Sequence, residues 1–302
     1  MDISIIIVSY NVRDYLLECL ESLYSGSYKN FEVIVVDNAS KDDSVNAVRL
    51  RYPQCIIIEN KNNTGFPAAN NQGFTIAKGR YMLMLNPDAF LYKDTLQNLF
   101  DYMEKNPYTD IAAPQLFNSD GSIQQSVWRF PTLGSIFSEM FYLKFFLNKK
   151  NYNDIDKSKA FEAESFSGAA IMFRRSVIEK IGMLDESLFW IEDVDFCYRA
   201  KQAGLKLVYY PDAKAVHHIS KSAKSNYKIS VSNQVFNKIK FFRKHKGPIQ
   251  FLIIVLLSFV FSLLKLLFFV LLSPFSRIYF KKAIAYAYTL PRVFNPPKSI
   301  LK

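Results

Sequence analysis

RYMLMLNPDAF, Arg80 to Phe90, is the stretch on which the fold turns. Tyr81 to Leu85 is a run of large apolar residues bounded by Gly79 and Pro87. A short apolar run between such breakers reads as a strand buried on both faces. Pro87 has no N–H for a sheet ladder, so the strand stops at Asn86-Pro87-Asp88. In an open α/β sheet, ligands bind beyond the carboxyl ends of the strands. Asp88 is therefore predicted at a ligand edge, where a carboxylate can hold a hard divalent cation and the cation a diphosphate. The same tripeptide is also an ordinary turn former, so the surrounding chain has to decide.

Upstream, strand and helix patterns alternate at short intervals. Ile3 to Val8 is an apolar, β-branched run ending in Ser9-Tyr10-Asn11. Arg13 to Tyr24 carries Tyr15, Leu16, Cys19, Leu20 and Leu23 on a helical spacing. A second strand is predicted over 31–36, a helix over 42–50, a third strand over 55–58 and a third helix over 65–77. This alternation predicts a mostly parallel sheet with helices on both faces. The strands end in Ser9 and Asn11, Asp37 and Asn38, Asn60, then Asn86 and Asp88. Loops often start with polar residues, but four such ends in succession share one edge of a parallel sheet. There is no Gly-x-Gly-x-x-Gly and no Walker lysine motif, which argues against a dinucleotide dehydrogenase or a P-loop enzyme. The predicted nucleotide site is built from side chains.

The chain has 302 residues, enough for one large α/β domain or two small ones, and half of them are hydrophobic. Its formal net charge of +11 points to anionic partners, either a membrane surface or phosphorylated ligands. Nucleic acid is disfavoured, because no zinc-finger, RNP or basic-zipper pattern is present. Cys19, Cys55 and Cys197 are odd in number and widely spaced, which suggests neither a disulfide framework nor a zinc site and fits a reducing compartment. The opening MDISIIIVSY reads as a strand rather than a signal peptide.

The set VSYN, VVDNAS, NTGFPAANNQG and LNPD resembles the nucleotide-binding half of family 2 glycosyltransferases, and the likeness runs from about Ile3 to about Ser222. The resemblance implies a GT-A fold and inverting transfer of a sugar from a nucleotide diphosphate sugar. It implies that Ser9 and Tyr10 line the base and ribose pocket and that Asp37 takes a polar edge of the base or ribose. Asn63, Gly65 and Asn71 would flank the nucleotide. Asn86-Pro87-Asp88 stands for the family's metal-binding Asp-x-Asp. Its first position is Asn86, a weaker ligand, so Asp88 is the expected ligand of Mg2+ or Mn2+. Pro67 stands where such sequences more often have a small residue, and a first helical turn tolerates it.

In the second half, residues 110–128 are expected to form strand, turn at Asp120-Gly121, and strand. Residues 131–147 form either an amphipathic helix touching a membrane or core. Ser167-Gly168-Ala169-Ala170 opens a strand followed by a helix to Ile181, and resembles the family's small-residue segment beside the donor sugar and acceptor. Glu192, Asp193 and Asp195 start a helix, where its N-terminus partly stabilises negative charge. They are either helix caps or the source of a general base, which inverting transfer needs to take the acceptor hydroxyl proton. The segment matches the family's Glu-Asp motif, with Arg199 following. Asp193 is assigned the base, with Glu192 and Asp195 as alternatives. In Val216-His217-His218-Ile219-Ser220-Lys221-Ser222, His217 is either structural or, by resemblance, a group that completes the metal shell or touches the diphosphate. Lys221 and Lys224 could neutralise the leaving diphosphate.

Residues 249–273 hold one charge, Lys265, and are long enough to cross a bilayer. Both flanks are basic, and Ser258, Ser262 and Lys265 share a narrow helical stripe. A span, an in-plane or re-entrant helix, and an oligomer contact all remain open. The expected organisation is a GT-A domain over 1–226, with a nucleotide-binding half (1–105) and an acceptor half (106–226). A helical, membrane-associated region follows over 227–302. The expected activity is transfer to a saccharide or polyprenyl-linked acceptor in bacterial surface polysaccharide assembly, at the cytoplasmic face of the cell membrane, with a homo-oligomer as a further expectation. A non-catalytic membrane scaffold retaining the fold is the alternative, and Asp88, Asp193 and His217 argue against it. A nucleotidyltransferase is disfavoured by the lack of an N-terminal glycine-rich arginine/lysine loop.

Overall fold

The first four strands form where apolar residues run unbroken: β1 (Ile3–Ser9), β2 (Phe31–Asp37), β3 (Ile56–Glu59) and β4 (Tyr81–Leu85). Helices α1 (Arg13–Tyr24), α2 (Ser44–Arg51) and α3 (Phe66–Ile76) connect them. The chain continues through β5 (Ala89–Leu91), α4 (Thr95–Lys105), β6 (Ile111–Phe117), β7 (Val127–Trp128), α5 (Leu133–Met140), β8 (Phe161–Glu162), β9 (Ser165–Phe166) and β10 (Ala170–Arg174). It ends with α6 (Arg175–Ile181), α7 (Glu192–Gln202), β11 (Leu207–His217), α8 (Tyr227–His245), α9 (Pro248–Leu272) and α10 (Arg277–Thr289). The structure, a computed structural model, describes residues 1–141, 155–218 and 227–297. They divide into two units: 1–130 with 155–186 and 192–218, and 131–141 with 187–191 and 227–297.

In the first unit the large sheet has the order β3-β2-β1-β4-β10-β6-β11-β5, with β8 also on β11. The chain starts at β1, steps outward to β2 and β3, and returns to β4 on the other side of β1. The carboxyl edge between β1 and β4 is therefore the switch point where α/β sheets bind ligands. Ile3, Ile5, Ile7, Val33, Val35, Leu83 and Leu85 face one core with Leu16 and Leu20 of α1 and Leu99 of α4. Ile6, Val8, Ile34, Val36, Met82 and Met84 face the other with Phe74 of α3, Val177 of α6 and Phe196 of α7. Alternate residues point to opposite faces, and both faces are covered, so the strands read as continuous apolar runs.

The sheet is mixed. Its first four strands are wholly parallel, as expected, but β10 enters antiparallel between β4 and β6, and β11 pairs parallel with β6 and antiparallel with β5 and β8. The expected hairpin over 110–128 is only half formed. Asn118 to Ser122 turns, and Gln124 N–H donates to Leu116 O at 2.8 Å. The chain then leaves the sheet, because Val127 and Phe166 are both buried, and β7 pairs with β9 in a separate ribbon. Of residues 131–147, only 131–141 are described. There α5 starts with a capping box between Thr132 and Ser135 and buries Ile136 and Met140. All three cysteines are free thiols.

In the second unit α8, α9 and α10 pack on one another. Val235, Phe236 and Ile239 of α8 meet Val255 of α9, and Phe269 of α9 meets Ala283 and Tyr286 of α10. Ser232 and Thr289 share a buried hydrogen bond of 2.8 Å. Among the described residues, α9 is the one helix long and apolar enough to cross a membrane, by length and composition.

Gly79 is where the loop before β4 presses on β1. A Cβ there would lie 2.4 Å from Ser4 N and 2.7 Å from Ile3 C, both backbone atoms that cannot give way. Gly134 in α5 meets nothing within 4 Å. Gly79→Ala should lose about 1–3 kcal/mol or more in urea unfolding, as overpacking does, while Gly134→Ala should hold or gain. Equal stability of the two variants would refute the close approach.

Candidate active site

β4 ends at Leu85, and the next residue is captured at once: Asn86 N–H donates to Ala169 O at 2.9 Å. Asn86 O accepts from Ala89 N–H at 3.1 Å and from the buried Cys19 thiol of α1 at 3.8 Å. Burial and the neighbouring Asp88 carboxylate push the Cys19 thiol far above its usual range, so it stays a donor. β5 then pairs with the end of β11, Ala89 opposite His217 and Phe90 opposite Val216. His218 N–H donates to Asp88 O at 2.9 Å. This pairing brings together Asp88 and His217, 129 residues apart in the chain, and sets His217 Nε2 3.4 Å from Asp88 Oδ1. Asn86 Nδ2 lies 3.4 Å from the same nitrogen.

Gln124 orients the imidazole. Its Nε2 donates to Asn118 Oδ1 at 2.8 Å and to His217 O at 3.0 Å, which leaves its Oε1 to accept from His217 Nδ1 at 2.8 Å. Nδ1 therefore carries a proton, and Nε2 is the ring nitrogen that faces the Asp88 side, the arrangement by which an outer partner orients a ligating histidine.

Asp193 enters from the first turn of α7. Its Oδ2 accepts from Gly168 N–H at 2.8 Å and its Oδ1 from Val194 N–H at 2.7 Å. Burial raises its pKa above the ordinary carboxylate range, with the backbone donors acting in opposition. Gly168 and Ala169 thus hold two loops at once: one residue ties Asp193, the next ties Asn86. Asp195 is fully buried and pairs with Arg199 at 2.8 Å; Arg199 also donates to Ile181 O and Met183 O. That network anchors α7 to the end of α6. Glu192 is buried at the helix start. Of the three carboxylates, Asp193 is both partly exposed and tied to the segment that carries the Asn86 turn.

At the other side of the switch point, Ser9 and Asp37 are paired neighbours on β1 and β2. Ser9 Oγ and Asp37 Oδ1 are buried without a hydrogen-bond partner, while Asp37 Oδ2 accepts from Ser40 N–H at 2.9 Å. Orphaned buried polar atoms at a ligand edge are atoms built to meet something. Tyr10 is exposed beside them. Asn38, beyond the residues singled out in the sequence, is the hub of this edge. Its Oδ1 accepts from Thr64 N–H, Thr64 Oγ1 and Asn60 Nδ2, and its Nδ2 donates to Gly65 O at 3.3 Å. Asn63 Oδ1 accepts from Gly65 N–H at 2.9 Å, and Gly65 takes φ +89°, so both shape the loop before α3. Asn71 stands apart: its amide holds Leu184 O and Glu186, and its carbonyl holds Leu184 N–H. Lys221 and Lys224 lie outside the described residues. Gln124 and Cys19 escaped the sequence reading. Gln124 sits in a polar stretch without periodicity, and Cys19 reads as one more apolar position of α1.

Residues 4–182, more than half of the chain, match the family described as Glycosyl transferase family 2. The chain is 28% identical over 229 residues to the low-salt glycan biosynthesis hexosyltransferase Agl10 of Haloferax volcanii, covering 72% of this chain and 67% of Agl10. It is 26% identical over 235 residues to the N-acetylglucosaminyl-diphospho-decaprenol L-rhamnosyltransferase of Mycobacterium tuberculosis, covering 71% of this chain and 75% of that one. Some relatives are much longer, and the match spans 32% of the glycosyltransferase GlyA of Streptococcus pneumoniae. Among solved structures, the mannosyltransferase PcManGT of Pyrobaculum calidifontis, in complex with GDP-Man and Mn2+, superposes with a TM-score of 0.57 at 20% identity, covering 97% of this chain and 72% of that one. At that identity the likeness shows the fold, which is GT-A. The parallel β1–β4 half, its side-chain-built edge and the Asn86-Pro87-Asp88 turn agree with that match: the chain belongs to glycosyl transferase family 2.

Proposed function

We propose that residues 1–226 catalyse inverting transfer of a sugar from a nucleotide diphosphate sugar to a saccharide on a polyprenyl-linked acceptor, in surface polysaccharide assembly at the cytoplasmic face of the cell membrane. Residues 227–302 supply the membrane association. The observation that carries the reading is the Gly168–Ala169 segment, which binds Asp193 with one N–H and the Asn86-Pro87-Asp88 turn with one carbonyl. The polyprenyl-linked acceptor is supported by the name of the mycobacterial relative, and the scaffold alternative draws no support from the site.

The proposed chemistry is a single displacement. The acceptor hydroxyl oxygen attacks the anomeric carbon on the face opposite the diphosphate, and its proton passes to a carboxylate oxygen of Asp193. The bond from the anomeric carbon to the diphosphate oxygen breaks, and the nucleoside diphosphate leaves with that electron pair, so the configuration inverts. A base is most effective when its pKa approaches the working pH, and burial moves Asp193 in that direction. Ser9 and Asp37 would meet the base or ribose with their orphaned oxygens, beside Tyr10, and Asn38, Asn63 and Gly65 would shape that pocket.

A divalent ion fits as a guest of the diphosphate rather than as a resident. Asp88, which is buried, and the partly buried His217 offer two ligand atoms, with the imidazole oriented through Nδ1 by Gln124. Among the described residues no three His, Cys, Asp or Glu side chains gather. Mg2+ commonly takes one or two protein ligands and fills its shell with phosphate oxygens and water. When bound, such an ion would neutralise charge on the leaving diphosphate. The Mn2+ in the Pyrobaculum structure supports that choice.

Two variants separate the roles. Asp193→Asn should lower the transfer rate at saturating donor about a hundredfold to ten-thousandfold, with donor affinity unchanged. The wild-type rate should fall as pH is lowered through a value above that of an ordinary carboxylate, because protonation of Asp193 removes the base; the variant should lack this acid limb. Near-normal transfer by Asp193→Asn would move the base to Glu192 or Asp195. Gln124→Ala should weaken Mn2+-dependent donor binding about 10- to 100-fold through loss of imidazole orientation, and Asp88→Ala should abolish the metal dependence of binding. Unaltered, Mn2+-stimulated donor affinity in Asp88→Ala would remove the ion from this site.

A further inference from the structure

Residues 227–302 contain thirteen lysines and arginines and no acidic residue. With the whole chain at +11, the first 226 residues carry a net −2. The basic character of the protein therefore belongs entirely to its last quarter. Within that quarter α9 has two unlike sides. Leu252, Leu256, Val260, Leu264, Leu267 and Leu271 recur at intervals of three or four and are each 44% exposed or more, a stripe along nearly the full helix. The opposite side is packed and polar: Ser258 and Ser262 are fully buried there. Lys265, the single charge of α9, lies among the rings of Phe261 and Phe269.

The packed side decides how this helix can meet a bilayer. α8 covers its first half through Val235, Phe236 and Ile239, and α10 covers its second half through Tyr279, Ala283 and Tyr286. Lys238 of α8, paired with Glu139 at 2.8 Å, and Lys240, which donates to Ser187 O at 2.9 Å, flank that first half; Arg243 and Lys244 follow towards one end of α9, and Arg277, Lys281 and Lys282 stand towards the other. Lys282 Nζ sits 5.3 Å from the ring centre of Phe269, alongside the last turns of α9. If α9 crossed a bilayer with its partners in place, the Lys238–Glu139 pair and Lys240 would be carried to hydrocarbon depth, where charge is costly. A second copy against the stripe would bring two strongly basic helical regions together, and α8, α9 and α10 hold no acidic residue to offset that charge. Anionic lipid offers both what the stripe lacks and what the flanks attract: acyl chains for the one and negative headgroups for the other.

We propose that α9 lies in the plane of an anionic membrane as a one-sided insertion, its Leu252-to-Leu271 stripe in the acyl boundary and the α8 and α10 cations at the headgroups, without crossing to the other side. This rests on the membrane association proposed above and specifies its geometry and its lipid.

The test uses the full chain. Flotation with phosphatidylcholine vesicles containing phosphatidylglycerol should carry the protein, and with phosphatidylcholine alone should carry it more weakly. Leu256→Glu/Val260→Glu/Leu264→Glu changes exposed positions only, and should keep the melting temperature while reducing binding on the order of tenfold or more. Undiminished flotation of that variant, or no flotation of the parent, overturns the proposal; a parent that fails to float but dimerises through the stripe shows that the face joins copies instead. Ile249→Cys and Phe275→Cys lie on exposed residues at the two ends. In sealed membrane vesicles of one orientation, an impermeant maleimide should label both beyond the parent's background. Labelling of one end alone means a span and overturns the in-plane geometry. Transfer to a water-soluble acceptor, measured separately, reports on the catalytic reading without reference to lipid.

Discussion

Three residues of antiparallel pairing, Ala89–Leu91 against Ala215–His217, bring Asp88 and His217 together. A strand this short has little ladder energy of its own. Its register is fixed instead by neighbours on every side: Tyr92 N–H on Lys214 O, His218 N–H on Asp88 O, and the Asn86 turn held by Ala169. A slip of one residue would send each side chain to the other face of the sheet and separate the carboxylate from the imidazole. The site is thus assembled by backbone hydrogen bonds, and its side chains inherit their positions. This explains why Gln124 matters: with the backbone placed, the remaining freedom is the ring orientation and tautomer of His217, and one amide removes both.

The two halves of the sheet do different work. The parallel half offers unpaired oxygens at Ser9 and Asp37 beside loops stiffened by Asn38, Asn63 and Asn11. The mixed half brings together groups from distant stretches of chain, the Asn86 turn, Gly168, Asp193, Gln124 and His217. Buried carboxylates in this half are sorted by partner. Asp195 faces a guanidinium, whereas Asp193 faces neutral N–H groups, which orient a carboxylate without pairing its charge. Burial raises a carboxyl's proton affinity, and at Asp193 the N–H donors oppose that rise without a paired cation to cancel it.

The parallel half was legible in the sequence because each of its strands is a continuous apolar run and each connection a periodic helix, so composition and period agree. Helix α2 starts two residues later than the pattern implies because Asp42 is engaged with Arg13 N–H and Ser44, and Asp43 takes φ +62°. The hairpin after β6 was misread because alternation in Val127 and Trp128 says that a strand forms but not which partner it finds. Asp88, Asp193 and His217 were visible as chemistry-bearing residues in short motifs. Their mutual placement was not, since it depends on β5, which has no local signature, and on the hydrogen-bond partners of Gly168 and Ala169, which a small-residue segment does not name. Asn71 shows the converse: a residue in a motif whose polar atoms turn out to hold a loop.

The thiol of Cys19 has a consequence for how this protein meets oxidants. A thiol reacts through its thiolate, and burial suppresses that form at both Cys19 and Cys197. In the folded chain Cys55 is the partly exposed thiol, and burial beside Tyr24 raises it too, so all three cysteines react slowly while the fold is closed. Cys19 becomes reactive only when α1 lifts from the Asn86 carbonyl it caps. Its alkylation rate is therefore a built-in clock for opening of that turn, readable by mass spectrometry without any introduced label.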